Sequence, residues 1–216
     1  MRPLIGTVDA VVLDLGNVLV RWDPVLAFVG HLSAGEVDEL FDEVDFAAFN
    51  HLQDAGRPWD EALDDVAARF PHRVEALRLY RRNFAASLPG PVEGSEALVR
   101  DLRATGVRLL GLTNWSSETF PHAVPAAPAI GLLDDVLVSG DVGVAKPDPA
   151  IFRLLVRRHA LVPARTVFVD DSPANVATAA AEGFDALLFT DAATLRRDLV
   201  ARGLPVGATG AGAAGA

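Results

Sequence analysis

Four short segments of the 216-residue chain carry residue types that could do chemistry together. Asp14 ends the apolar run in VVLDLGNVLV, Thr113 and Asn114 fall in LTNWSS, Lys146 stands in GVAKPDPAIF, and Asp170 and Asp171 open VFVDDSPANVATAAAEG, with Asn175 four residues on. Each has an ordinary reading by itself. A lone Asp after a strand caps a turn, Ser, Thr and Asn at strand ends are common helix N-caps, and Asp171 could cap a helix. Together they fit a different picture. Three carboxylates at one edge suit Mg²⁺, which takes one or two carboxylates with waters and phosphate oxygens. A hydroxyl and an amide at Thr113 and Asn114 could donate to a phosphoryl oxygen. Lys146 is the only lysine, since every other basic residue is arginine. A compact ammonium suits a point charge between a carboxylate and a phosphate better than a planar guanidinium does.

These segments need elements that end together. Continuous apolar runs at 9–15, 107–113, 135–139, 166–171 and 185–189 read as strands buried on both faces. Helical patterns at 95–105, 150–159 and 173–182 lie between them, with Gly106 and Gly183 just past two of the ends. The alternation predicts an α/β fold, a Rossmann-like doubly wound parallel sheet whose strand ends collect the candidate residues.

Residues 24–88 break the rhythm. They hold no convincing strand but several helical segments: SAGEVDELFDEV with a capping box at Ser33 and Glu36, PWDEALDDVAARF with Pro58 in the first turn, and HRVEALRLYRRNFAAS. The expectation is a small helical cap at 24–88 inserted after strand 1, a core of 1–23 and 89–206, and a disordered Gly/Ala-rich tail at 207–216. Pro89–Gly90–Pro91 is the expected return linker.

The balance of the chain narrows its partners. Half the residues are hydrophobic and 22% charged, the mix of a globular protein, and the net charge of −10 disfavours nucleic acid. Without cysteine there are no disulfides or thiolate metal sites. Asp9 and Asp14 interrupt any signal-peptide profile, and the uncharged segment 120–133 holds three prolines, so no membrane association is expected and the cytoplasm is the expected compartment.

The four segments, in this order, resemble the four motifs of the haloacid dehalogenase superfamily of hydrolases. The resemblance runs from residue 8 to about residue 190 and includes the inserted cap. It implies an aspartyl-phosphate formed on Asp14, with Mg²⁺ held by Asp14, the Gly16 carbonyl and Asp171. Thr113, Asn114 and Lys146 would hold the phosphoryl group, with Asp170 and Asn175 supporting the metal and the lysine. The substrate would be a small phosphorylated metabolite such as a sugar phosphate, since the DLGNVLV spelling is similar to that of α-D-glucose-1-phosphate phosphatases.

Gly16 is the departure. The superfamily's commonest phosphatase motif has a second Asp there, which protonates the leaving alcohol. Its loss forgoes a contribution of about 10²–10⁴-fold, which hurts good leaving groups least. Asp23 and His51 are candidate substitutes. Two rivals use the same residues differently: a metal-independent 2-haloacid dehalogenase, against which the Asp170–Asp171 pair argues, and a non-catalytic binder of a phosphometabolite or a protein. In the cap, Asn50, His51, Gln53, Arg57 and Trp59 form a polar and aromatic mix suited to a sugar, with Arg57 the first candidate for substrate contact. Trp22, Trp59 and Trp115 could face a ligand or simply fill the core.

Overall fold

The computed structural model describes residues 8–207. Its strands are β1 (Ala10–Leu13), the two-residue β2 (Val20–Arg21) and β3 (Gly90–Pro91), β4 (Arg108–Thr113), β5 (Asp135–Val138), β6 (Thr166–Asp170) and β7 (Asp185–Leu188). Five of them form one sheet in the order β5-β4-β1-β6-β7, parallel throughout. Val11 and Leu13 of β1 belong to one apolar cluster and Val12 between them to another, on the other face. Burial on both faces is why these strands read as unbroken apolar runs. Each is shorter than its run.

The helices that cover the sheet are α5 (Ser95–Thr105), α8 (Pro149–His159), α9 (Pro173–Ala181) and α10 (Ala192–Ala201), with the short α6 (Ala123–Ala126) and α7 (Ser139–Val142) in the connections. Leu98, Leu102, Leu195 and Leu199 place α5 and α10 on one face; Ile151, Phe152, Leu155 and Ala179 place α8 and α9 on the other. From β1 the chain crosses to β4 and β5, then returns to build β6 and β7 on the opposite side. The order therefore reverses at β1, and the crevice outside the carboxyl ends of β4, β1 and β6 is where such folds hold ligands. This is the doubly wound α/β fold expected.

Between β2 and β3 the main sheet is interrupted by a helical block. It contains α1 (Ala34–Val44), α2 (Phe46–Asp54), α3 (Trp59–Arg69) and α4 (Val74–Arg82), framed by 3-10 turns at Pro24–Phe28 and Phe84–Ser87. The Ser33–Glu36 capping box opens α1 in both directions. Pro58 stands just before α3, not inside its first turn, and Trp59 is the first helical residue. The segment after His72 divides: α4 stops at Arg82 and Asn83 leads into the second 3-10 turn. The expected Pro89–Gly90–Pro91 turn is a strand pair instead, Val20 with Pro91 and Arg21 with Gly90, so the chain leaves and re-enters the core side by side.

Phe28, Phe41, Phe46, Phe49, Trp59 and Tyr80 pack the block's interior, with ring centroids 4.1 to 6.2 Å apart. Phe84 carries this packing to Trp115, just past β4, at 6.0 Å. Block and sheet thus share one continuous apolar cluster. Apart from residue 207, the expected tail lies outside the described residues.

Candidate active site

Parallel register assembles the site. Leu13 of β1 pairs with Val169 of β6, so Asp14, just past β1, and Asp170, the last residue of β6, stand side by side at the sheet edge. The Asp14 backbone N–H donates to Val169 O at 2.8 Å, and Leu15 N donates to Asp14 Oδ1 at 2.7 Å. Lys146 lies 1% exposed between the two acids. Its ammonium donates to Asp14 Oδ1 at 2.9 Å, Asp170 Oδ2 at 2.7 Å and Leu112 O at 2.8 Å, which uses all three N–H groups. Asp170 Oδ1 accepts from Ser172 N at 2.9 Å and Asn175 Nδ2 at 3.0 Å. Both Asp170 oxygens are therefore occupied.

The charges do not balance locally. Asp14, Asp170 and Asp171 each offer a carboxylate oxygen within 4.8 Å of the others, against one ammonium. Burial raises the Asp14 carboxyl to about 7; Lys146 pulls it down and Asp170 pushes it up. Burial opposes charge on Lys146, yet Asp14 and Asp170 hold it above the ordinary lysine range. Desolvation, then Asp170, raises Asp171, the exposed member, while a hydrogen bond from Asn17 works the other way.

Above this edge lies a cavity of about 190 Å³. Asp14, Gly16, Asn17 and Asp171 form part of its wall, and Trp22, Trp59, Phe84 and Trp115 give it four aromatic faces. All three tryptophans line it, so the core reading does not describe them fully. The Trp59 indole N–H is buried there without a hydrogen-bond partner.

The helical block also contributes Asn50 and Asp54 to the wall. Asp54 is the last residue of α2. Its Oδ2 accepts from Asn50 Nδ2 at 2.9 Å, and its carboxyl also accepts from the Ser116 backbone N–H. Its own carbonyl accepts from Ser139 Oγ, which in turn accepts from Trp115 N at 2.9 Å. Burial pushes the Asp54 carboxyl up to about 7 against the Ser116 hydrogen bond, with the Asp14 charge adding and Lys146 subtracting. Glycines allow this close seam. A Cβ on Gly56 would meet Gly140 O at 3.2 Å, and one on Gly140 would meet Trp115 O and Ser117 N at 2.6 Å.

The structure brings most of the candidates together, Asn175 among them on the Asp170 carboxylate, and turns Asn114, Arg57, His51 and Asp23 elsewhere. Asp14, Gly16, Asn114 and Asp171 line the cavity, and buried Thr113 ends β4. Asn114, expected on a phosphoryl oxygen, instead donates through Nδ2 to Lys146 O and accepts through Oδ1 from Lys146 N, both at 2.8 Å. Asn175 holds Asp170 and does not reach Lys146 directly. Arg57 does not line the cavity: Gln53 Oε1 takes its Nε at 2.7 Å, Asp65 lies 3.4 Å from its Nη1, and the guanidinium lies over Phe49. His51 is exposed, and Asp23 caps the 3-10 turn by accepting from Val25 N at 3.0 Å. Sequence reasoning passed over Asp54. The signal was present, since an acid at a helix C-terminus before Ala-Gly is badly placed for the helix dipole.

The chain is similar to known proteins in sequence and in fold. A family model described as haloacid dehalogenase-like hydrolase matches residues 8–183. Drimenol cyclase drtB of Aspergillus calidoustus is 32% identical over 203 residues, covering 89% of this chain but only 36% of that longer protein. Sesquiterpene phosphatase astK of Aspergillus oryzae is 26% identical, covering 86% of this chain and 91% of the relative. Among solved structures, a HAD family enzyme from Bacteroides thetaiotaomicron, crystallised with magnesium and inorganic phosphate, superposes with a TM-score of 0.66 at 19% identity. That alignment covers 86% of this chain and 96% of the other.

Proposed function

Because this chain belongs to the haloacid dehalogenase-like hydrolase family, we propose that it hydrolyses a phosphomonoester of a small metabolite, with Mg²⁺ as cofactor and Asp14 as nucleophile. The observation that carries the reading is the buried triplet of Asp14, Lys146 and Asp170 opening, with Asp171 beside it, into one cavity. The Asp14 carboxylate attacks phosphorus and becomes an aspartyl-phosphate, which water then cleaves. Thr113, which ends β4 beside β1, holds a transferring phosphoryl oxygen, and Lys146, its three N–H groups taken by Asp14, Asp170 and Leu112, stands by as a fixed positive charge. Asn114 acts through Lys146 by fixing its backbone, and Asn175 acts through Asp170.

The residues fit a divalent cation. Three acids share one ammonium, and the donors are hard oxygens. Since both Asp170 oxygens are occupied, Asp14, Asp171 and the Gly16 carbonyl are the groups that would hold it. Bound there, Mg²⁺ supplies positive charge that lets an anionic nucleophile meet an anionic ester.

The cavity bears on the substrate. At about 190 Å³ it is smaller than the roughly 300–1,000 Å³ typical of drug-sized ligands. The aromatic faces of Trp22, Trp59, Phe84 and Trp115 suit a compact leaving group with an apolar face, either a sugar ring or a terpenoid alcohol. The names of the two relatives favour the terpenoid side. A phosphate-release screen decides, run with and without a chelator over sugar 1-phosphates, prenyl monophosphates and p-nitrophenyl phosphate. We expect Mg²⁺-dependent release. Its absence across the panel, or chelator-insensitive chloride release from 2-chloropropionate, overturns the proposal.

A further inference from the structure

We propose that Asp54, supplied by the helical block, is the proton donor to the leaving oxygen, a catalytic role that Gly16 has no side chain to fill. The inference rests on the phosphohydrolase reading and adds to it a residue from a different part of the chain.

Elimination points to it first. The residues lining the cavity include three that can exchange a proton at moderate pH: Asp14, Asp54 and Asp171. The nucleophile accounts for Asp14 and the cation for Asp171. Among the described residues no His, Lys, Cys or Tyr is in the lining, and neither Asp23 nor His51 reaches it. Space agrees, because a Cβ on Gly16 would meet nothing within 4 Å. The place beside the nucleophile is open, and Asp54 belongs to the wall of the same cavity.

Burial favours an acid held protonated, and hydrogen bonds fix its position although they themselves favour the charged form. Asn50 and the Ser116 N–H fix the carboxyl, and Ser139 anchors the carbonyl of the same residue to the core. The helix C-terminus and burial both disfavour the charged form. In the same direction, the carboxyl is lifted to about 7, where an acid–base group is most effective. The titratable groups facing it are Asp14, Asp171 and Lys146 at the sheet edge and Tyr80 on α4.

The chemistry balances. An Asp14 oxygen bonds to phosphorus as the P–O bond to the leaving group breaks, and the leaving oxygen takes the bond's electron pair and the Asp54 proton. The alcohol departs, leaving Asp54 as carboxylate. It next takes a proton from the water whose oxygen attacks phosphorus, and the Asp14–phosphate bond breaks to release orthophosphate. Asp14 is again a carboxylate and Asp54 again an acid.

The test is Asp54→Asn, followed by rapid-quench measurement of alcohol or phenol release across a leaving-group series, with the acyl-phosphate on Asp14 read by mass spectrometry. We expect the first step to slow at least about 100-fold for alkyl phosphates. For 2,4-dinitrophenyl phosphate, whose leaving group needs no proton, it should hold within about threefold, with phosphorylated Asp14 accumulating as its cleavage slows. An equal loss for every leaving group, or none for any, overturns the assignment. Should the variant not fold, the wild-type leaving-group series decides alone: a shallow dependence on leaving-group acidity supports a donor, and one as steep as the uncatalysed reaction rejects it. Asp14→Asn keeps the two levels apart. If it still releases phosphate the phosphohydrolase reading fails, whereas a uniform Asp54→Asn effect sinks only this inference.

Discussion

The sheet edge and the helical block both supply the cavity, but they build it by different rules. At the edge the acids and Thr113 sit at the end of a strand, or one step past it, in a register set by the neighbouring strands. Asp14 and Asp170 emerge together because Leu13 and Val169 are paired. In the block, which side chain reaches the cavity depends on how α2 is turned against the core. Asn50 and Asp54, one helical turn apart, face in, while His51 is exposed. A strand end declares its function by position, and a helix only once its packing is known.

Substitutions at the edge sharpen this contrast most. Asp14→Asn should abolish Mg²⁺-dependent phosphate release by about 10⁴-fold or more, roughly 5 kcal/mol of barrier, measured as kcat on the best ester of the screen. Lys146→Met should lower kcat similarly and also destabilise the fold by about 3–5 kcal/mol, because it strands Asp14 and Asp170 without their shared cation. Denaturant unfolding monitored by tryptophan fluorescence measures the second effect. A Lys146→Met protein as stable as wild type would mean that the edge is less interdependent than its geometry indicates.

Effects from the block should be smaller and selective. The Asp54 carboxyl is raised from an ordinary 3.8 to about 7, so the native state binds the extra proton between those values. The associated stability is present below the unfolded value and is lost as pH rises through about 7. Asp54→Asn should therefore be more stable than wild type at pH 8, by on the order of 1 kcal/mol or about 2–4 °C in Tm, with the gap closing toward pH 4. Thermal unfolding at the two pH values, without ligand, checks the sign. Arg57→Ala should change KM by less than about twofold and stability by under about 1 kcal/mol, since its guanidinium serves Gln53 and a partly exposed Asp65. A large KM effect there would break the distinction between the inward face of α2 and the loop that follows it.

The same contrast explains what could be read in advance. The sheet, its helices and the candidates Asp14, Lys146, Asp170 and Asp171 were legible because apolar continuity, glycine stops and strand-end acids are local signals. The strand overestimates include polar Asp14 and Ser139 and apolar Val107 and Phe189 alike, because the continuity of a run does not mark where ladder pairing stops. Arg57 was chosen for its charge, yet charge says nothing about which way a loop side chain turns. Asn114 was assigned to substrate because a strand-end amide can donate, and only the fold reveals that Lys146's backbone claims both its amide atoms. Asp54 needed two facts no local pattern holds: that the block folds back over β1, and that the turn at Ser139–Gly140 receives its last helical residue.

The pairing of Val20–Arg21 with Gly90–Pro91 carries a practical corollary. Both ends of the helical block cross into the sheet-forming part through neighbouring strands, roughly 5 Å apart. A foreign helical hairpin with similarly spaced ends could be grafted there without disturbing the five-stranded sheet. Selectivity would then be exchangeable as a cassette, provided that the replacement brings its own acid to the place where α2 now ends.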